Sequence, residues 1–145
     1  MRMILLAAAA ALLASSSQAQ HSHGGPPTPF LPLESEPAAK LFVDDPIPHR
    51  LAQGAVLIPY RTENFRIVPV FGASAVDVSP RVGHLHVTVD DLPWHWADAG
   101  SGDTVVIVGL PPGPHKVLIE IADPSHRVIA GKAVTFTVPA PPPRH

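Results

Sequence analysis

Residues 84–90 read HLHVTVD, a stretch in which polar and apolar side chains alternate with a period of two. This period is typical of a β-strand that buries one face, because successive side chains of a strand point to opposite sides. The aliphatic residues of the stretch share one face and are predicted to enter the core. His84 and His86 share the other face, where the pattern predicts a polar surface with two neighbouring imidazoles.

The same period recurs in short segments between residues 55 and 138. These segments are rich in Val, Ile, Thr and Phe, and Gly or Pro separates them before a helix could form. The predicted strands cover residues 55–59, 65–71, 84–90, 104–108, 115–121, 126–129 and 133–138. Seven short strands at this spacing predict an all-β fold, an immunoglobulin-like antiparallel β-sandwich, with a small barrel as the alternative.

The first residues have the composition of a signal peptide. Arg2 precedes an apolar run over residues 4–14, and Ser17-Gln18-Ala19 has the small residues of a cleavage site. We therefore predict a signal peptide over residues 1–19 and a periplasmic or secreted protein. A bilayer takes about 20 apolar residues. This run and all later ones are shorter, so we predict no membrane span.

Three further segments differ in composition. Residues 20–39 are rich in Pro, Gly and His, which predicts a flexible leader. Residues 40–138 have the size of one domain, and residues 139–145 form a proline-rich tail. Because the chain has no cysteine, the domain must be stabilised by its core alone.

The charge balance bears on possible partners. Without the signal peptide the chain keeps nine basic and all twelve acidic residues, a net charge of −3. Phosphate backbones and anionic lipids repel a negative chain. We therefore expect no nucleic-acid partner and no binding to an anionic membrane.

Histidines are the candidate metal ligands, because imidazole is the commonest protein ligand of transition metals. His84 and His86, two residues apart on a strand, place both rings within reach of one ion. Zinc and copper take three or four ligands, and His95 and His126 are the candidates to complete the set. The alternative is a solvated sheet face on which two histidines happen to be neighbours.

The segment after this strand carries both tryptophans of the chain. His95 lies between Trp94 and Trp96, and Asp91 or Asp98 could stand behind it as the carboxylate that orients a metal ligand. Alternatively, the tryptophans plug one end of the sandwich while His95 points to water.

His115 and His126 each begin a predicted strand, directly after a turn. His115 either supports the metal site or, in the favoured interpretation, bonds a backbone carbonyl of the turn at residues 109–114. His126 follows Asp123-Pro124-Ser125 and either caps that turn or faces the same end of the sheet as His115.

Cleavage after residue 19 would leave Gln20-His21-Ser22-His23 at the amino terminus. Imidazoles together with deprotonated backbone amides hold copper(II) in a tetragonal nitrogen site. His21 and His23 are therefore candidate ligands of a separate copper site. The alternative is that a short histidine-rich opening is a soluble tether.

Three longer motifs carry a resemblance to a known family: GHLHVTVDD at residues 83–91, PWHW at 93–96 and GLPPGPHK at 109–116. They resemble a family of small secreted bacterial domains of unknown function. The resemblance covers most of residues 55–138 and implies no established activity.

A second resemblance is to the periplasmic copper-resistance carriers. It rests on Pro112-Gly113, residues 115–121, Asp123-Pro124-Ser125-His126 and residues 135–138. In those immunoglobulin-like domains the amino-terminal histidine and the histidine before the last strand bind copper(II). The resemblance implies His126 and a histidine of the mature start as copper ligands.

These patterns favour non-catalytic binding of copper or zinc through surface histidines: His84, His86, His95 and His126. The alternative function is a cell-envelope interaction module, in which the histidines are structural and the loop at residues 94–96 contacts a protein partner.

A small zinc-dependent enzyme is the third candidate function, after metal binding and the interaction module. Histidine-bound zinc would act there with Asp90 or Asp91 as base. The chain has no Cys nucleophile, no G-x-S-x-G elbow, no H-E-x-x-H and no phosphate-binding glycine loop. We therefore expect no organic cofactor.

Overall fold

The computed structural model describes residues 31–32, 36–100 and 102–141. The predicted signal peptide over residues 1–19 and the predicted copper ligands His21 and His23 lie outside the described residues. No helix in the described ranges is long and apolar enough to cross a membrane.

Strands dominate the secondary structure. The described residues form ten of them: β1 (Leu31–Pro32), β2 (Lys40–Val43), β3 (Ala55–Glu63), β4 (Arg66–Ile67), β5 (Val78–Ser79), β6 (Val82–Val89), β7 (Trp96–Asp98), β8 (Thr104–Val108), β9 (Gly113–Ala122) and β10 (Val128–Val138). A short helix, α1 (Pro48–Leu51), lies between β2 and β3, and a 3-10 helix (Ala73–Ala75) lies between β4 and β5. The all-β class is confirmed.

Two larger sheets and the two-stranded pair β1-β5 build the fold. One of the larger sheets has five strands, in the order β10-β9-β6-β4 with β7 also paired to β6, and the other has the order β2-β3-β8. Their pairings are antiparallel apart from a short parallel contact between β4 and β6. Residues of both sheets meet in one apolar core, so the predicted β-sandwich is confirmed.

The core fixes the orientation of β6. Leu85, Val87 and Val89 are buried in it, as their alternation predicts. The same core contains Ile58 of β3 and Ile119 of β9, each 0% exposed. A buried aliphatic side chain of this size stabilises the fold by about 1.5–3 kcal/mol. This row therefore decides which face of β6 is turned away from the core.

Proline and glycine explain two differences from the predicted strands. Of the predicted strand at residues 65–71 only β4 forms, because Pro69 has no N–H to donate to a neighbouring strand. The predicted break between the strands at residues 126–129 and 133–138 is wrong: Ala130 and Gly131 belong to β10, where Gly131 lies opposite Glu120. A Cβ at Gly131 would meet Glu120 Cγ at 2.8 Å. Glycine here makes room for a neighbouring side chain rather than for a turn.

Two segments predicted to be irregular pair with strands. β7 lies within the predicted loop after β6 and folds back on it, with Trp96 opposite Val87. β1 lies within the predicted flexible leader, residues 20–39, and pairs with β5. The Glu36 carboxylate accepts a hydrogen bond from the Ser79 hydroxyl. The last part of the leader therefore lies against the domain.

Candidate metal centre

His84 and His86 lie on the face of β6 opposite the core row. The prediction that His84 and His86 are surface histidines is wrong, because His84 is 0% and His86 3% exposed. Rings from three other segments cover them, at centroid distances of 4.9 Å for Phe71 on His84, 4.6 Å for His126 on His84 and 4.2 Å for His95 on His86. The alternation of a single strand gives no information on such distant segments.

The turn between β9 and β10 carries His126. The backbone N–H of His126 donates to the Asp123 carbonyl at 2.9 Å, which closes a four-residue turn. The φ of His126 is 65°. Glycine or asparagine is usual at this left-handed position of a hairpin loop, and histidine is among the few other residues that adopt it. Backbone in a sparsely populated conformation points to a functional constraint on the residue.

Asp123 holds the turn in this conformation. Its buried carboxylate accepts hydrogen bonds from the N–H groups of Ser125 and Arg127 and from the Arg127 guanidinium. Burial raises the pKa of Asp123, but these hydrogen bonds outweigh burial and lower it overall. Because Ala122 of the same hairpin pairs with His84, the turn brings His126 to the two β6 histidines.

Three imidazole nitrogens converge at this point. His84 Nε2, His86 Nε2 and His126 Nδ1 lie 3.1 Å from one another and form an equilateral triangle. We call these residues the histidine trio. Each ring directs a nitrogen rather than a carbon at the common centre, so the trio has the form of a metal-ligand set.

The trio cannot satisfy its own hydrogen bonds. A neutral imidazole nitrogen carries either a proton or a lone pair, and a favourable N···N contact needs one of each. Of three nitrogens, two are always in the same state, so at least one of the three contacts opposes two protons or two lone pairs. A metal ion bound to all three nitrogens would accept every lone pair and remove this conflict.

Burial keeps two rings of the trio neutral. Burial first, and His126 second, lower the pKa of His84. Burial and the neighbouring imidazoles of His95, His84 and His126 lower the pKa of His86 to about 4. At neutral pH these rings therefore offer lone pairs to an ion without first losing a proton. His84 Nδ1 is also buried without a hydrogen-bond partner in the described part of the chain.

His95, the other predicted ligand, lies beside the trio rather than in it. The side chain is exposed, and its ring stacks on that of His86 with 29° between the planes. Of the flanking tryptophans, Trp96 packs partly on the core, whereas Trp94 is 57% exposed. The structure thus brings three of the four predicted ligands together and places the fourth in contact with one of them.

Three predicted supporting residues lie at the opposite end of β6. Asp90 Oδ2 accepts a hydrogen bond from His115 Nδ1 at 2.7 Å, and His115 Nε2 donates to the Pro111 carbonyl at 2.8 Å. Asp91 pairs with Lys116. About 20 Å of strand separates this cluster from the first histidine of the trio. The carboxylates are therefore too far away to act as a base there, and His115 makes the turn contact predicted as the alternative to a ligand role.

Asp98 lies on the core side of the sheet. It pairs with Leu85, and residues opposite each other in a sheet share a face. Burial, together with the charges of Asp98 and Asp103, raises the pKa of Tyr60 to about 12, which places Asp98 near that ring. The position of Asp98 does not support its predicted role as the carboxylate that orients His95.

Sequence reasoning did not identify Phe71 or Asp123 as part of the site. For Phe71 the sequence carries no signal, since the residue ends a predicted strand of ordinary composition. For Asp123 a signal exists: an Asp-Pro-Ser turn followed by a residue other than glycine or asparagine places a side chain in the left-handed position.

The pair formed by Asp90 and His115 predicts a pH dependence of stability. Hydrogen bonding to the Pro111 carbonyl, and then to Asp90, raises the pKa of His115. Hydrogen bonds from the Lys116 N–H and from His115 lower the pKa of Asp90. His115 therefore adds to the free energy of unfolding below about pH 6.5, and this stabilisation is lost as the pH rises through its folded pKa. Asp90 adds to it above about pH 3.9, and this stabilisation is lost as the pH falls through its folded pKa.

Replacing Asp90 with asparagine removes the charge and keeps a residue that tolerates the φ of 51°. We expect Asp90→Asn to lower the Tm more at about pH 5.5, inside the window where both charges stabilise the fold, than at about pH 9. Thermal unfolding of both proteins across this range measures the difference. An equal loss of Tm at the two pH values would contradict a charged pair.

Comparisons with known proteins give the family of the chain. The matching family model is described as "Family of unknown function (DUF6130)" and covers residues 1–144. No curated protein and no solved structure matches the chain. Since the match spans far more than half of its length, the protein belongs to the DUF6130 family of unknown function.

Proposed function

We propose that this protein binds a transition-metal ion, zinc by preference, through His84 Nε2, His86 Nε2 and His126 Nδ1. The 3.1 Å triangle of nitrogens carries the proposal. His84 and His86 are buried and cannot turn to solvent, so two of the three nitrogens are held in place for an ion. The signal-peptide pattern of residues 1–19 would place this site in the periplasm or outside the cell.

The shape of the triangle favours zinc over copper(II). Sides of 3.1 Å put the centre about 1.8 Å from each nitrogen, so an ion with bonds of about 2.0–2.1 Å lies roughly 1 Å above the plane. Three ligands on one side of an ion suit tetrahedral zinc. Tetragonal copper(II) would instead hold two of three nitrogens about 4 Å apart, on opposite sides of the ion.

The ligand chemistry disfavours copper(I). Soft sulfur ligands select that ion. The chain has no cysteine, and its two methionines are Met1 and Met3, within the predicted signal peptide. Imidazole nitrogens without sulfur suit zinc and other divalent ions of the first transition row.

Calorimetric titration of the purified protein with zinc(II) tests the proposal. The variant used for this titration carries His21→Ala and His23→Ala and no histidine tag, so that the leader cannot bind zinc through these residues. We expect one equivalent of zinc to bind and the Tm to rise with zinc concentration. A ligand of the folded state alone stabilises it by about 2.7 kcal/mol at a concentration one hundred times its Kd.

Two other results would change the conclusion. Absence of zinc binding by this protein, with binding by the chain that keeps His21 and His23, would place the ligands in the leader. Copper(II) bound in a tetragonal geometry by the trio, read from its electron paramagnetic resonance spectrum, would retain the site and overturn the preference for zinc.

Exposed apolar side chains favour a second function, that of an interaction module. Trp94 and Leu92 in the segment after β6 are 57% and 42% exposed. Aromatic and large aliphatic side chains exposed together are typical of contact surfaces. The partner would be a protein of the cell envelope, and chelation of zinc would leave its binding unchanged. Failure of zinc to bind in the titration would favour this function.

A further inference from the structure

A fourth imidazole stands at the edge of the proposed site. β7 runs antiparallel to β6 with Trp96 opposite Val87, and His95 continues this register towards Thr88. Thr88 and His86 lie on the same face of β6, so His95 is a diagonal neighbour of His86 on that face. The centroid distance of 4.2 Å between the two histidine rings agrees with this placement.

We propose that His95 is the fourth ligand of the ion and completes its tetrahedral coordination. The inference rests on the proposed zinc site, in which the trio supplies three nitrogens and leaves one position open. His95 already contacts one of the three ligands. Rotation of its side chain exchanges a stacking contact between rings for a bond to zinc, and the backbone of β7 stays in place.

The exposure of the four histidines indicates how the ion is enclosed. His84 and His86 are buried, whereas His126 and His95 are exposed. His126 comes from the β9 side of β6 and His95 from the β7 side, since these strands pair with opposite edges of β6. An ion from solvent thus meets two buried ligands and is enclosed by two exposed ones, one from each edge of β6.

Glu120 competes with His95 for the fourth position. It lies opposite His86 on β9, on the same face of the sheet. Its side chain, however, lies over Gly131 of β10, with Cγ 2.8 Å and Oε1 3.4 Å from the place of a Cβ there. The carboxylate therefore extends towards β10, away from the β7 side of β6, whereas His95 is in ring contact with His86.

Titration of His95→Gln with zinc and with cobalt(II) tests the assignment, and His49→Gln is the matched control. His49 is an exposed histidine of α1. We expect His95→Gln to weaken zinc binding at least about 10-fold, less than the loss of a trio ligand because water can take the fourth position. The visible absorption bands of the cobalt(II) complex, which report the ligand set, should change as well. His49→Gln should give the affinity and the spectrum of the unmodified protein.

Tryptophan emission provides a second measurement, because both tryptophans of the chain, Trp94 and Trp96, flank His95. We expect zinc to change the emission of the unmodified protein and to leave that of His95→Gln unaltered. An unchanged affinity and cobalt spectrum in His95→Gln would overturn the assignment and leave the trio site intact. The assignment would also be overturned if Glu120→Gln, rather than His95→Gln, weakened zinc binding and changed the cobalt(II) spectrum. Absence of zinc binding by the unmodified protein would overturn the proposed function itself.

Discussion

Replacing His126 with asparagine should weaken zinc binding by more than about 100-fold, because loss of even an outer-shell partner of a metal ligand costs 10–100-fold. The variant removes one nitrogen of the triangle and leaves His84 and His86 as a pair. Asparagine tolerates the φ of 65° at this position, so the turn keeps its backbone. His126 is exposed, and the substitution therefore opens no cavity in the core.

The same variant should lose zinc affinity but lose no stability in the absence of metal. Without the third imidazole, the two nitrogens of His84 and His86 can be one donor and one acceptor, and their 3.1 Å contact becomes a hydrogen bond. We expect the Tm of metal-free His126→Asn to equal or exceed that of the unmodified protein, and its rise with zinc to disappear. Thermal unfolding with and without zinc measures both effects, and a competition titration gives the affinity.

A glycine variant separates the ring of His126 from its backbone. His126→Gly removes the ring and also relieves the left-handed backbone, so it should bind zinc as weakly as His126→Asn and be at least as stable. Zinc affinity within tenfold of the unmodified protein in both variants would show that His126 is not a ligand.

The local pattern of β6 was sufficient to predict one half of the site. Alternation correctly placed His84 and His86 opposite the core row, since the side-chain period of a strand is fixed by its backbone. It could not predict their burial, because the covering rings are distant in sequence. His126, for example, lies 42 residues after His84. Contacts at this separation depend on which strands become neighbours, and periodicity does not contain that information.

The order of strands also decided between alternatives that the sequence left open. His115 and His126 each follow a turn and begin a predicted strand, so their local patterns are alike. In the sheet β9 runs antiparallel to β6 and separates them by its full length. His126 therefore reaches the trio, whereas His115 pairs with Asp90 at the other end. Only the sheet register distinguishes a candidate ligand from a structural histidine here.

Replacing Gly83 with alanine should destabilise the fold by about 3 kcal/mol, the upper part of the range for overpacking a well-packed interior. Gly83 directly precedes His84. A Cβ on it would lie 2.0 Å from the Ala122 carbonyl oxygen and 2.6 Å from Phe65 Cζ. Neither neighbour can move aside. The Ala122 carbonyl belongs to the backbone where β6 and β9 pair, and the Phe65 ring is buried in the core.

In a domain of this size the loss corresponds to a fall in Tm of about 10–20 °C. Gly102→Ala is the matched control, since a Cβ there would meet only the Thr104 nitrogen, at 4.0 Å. The clash at Gly83 lies where the β9–β10 hairpin approaches β6, so the strand must shift away from the hairpin that carries His126. We therefore expect Gly83→Ala to lose zinc affinity together with stability, at temperatures where it is still folded. A Tm equal to that of Gly102→Ala would mean that the hairpin does not approach β6 closely enough for His126 to join the other two imidazoles.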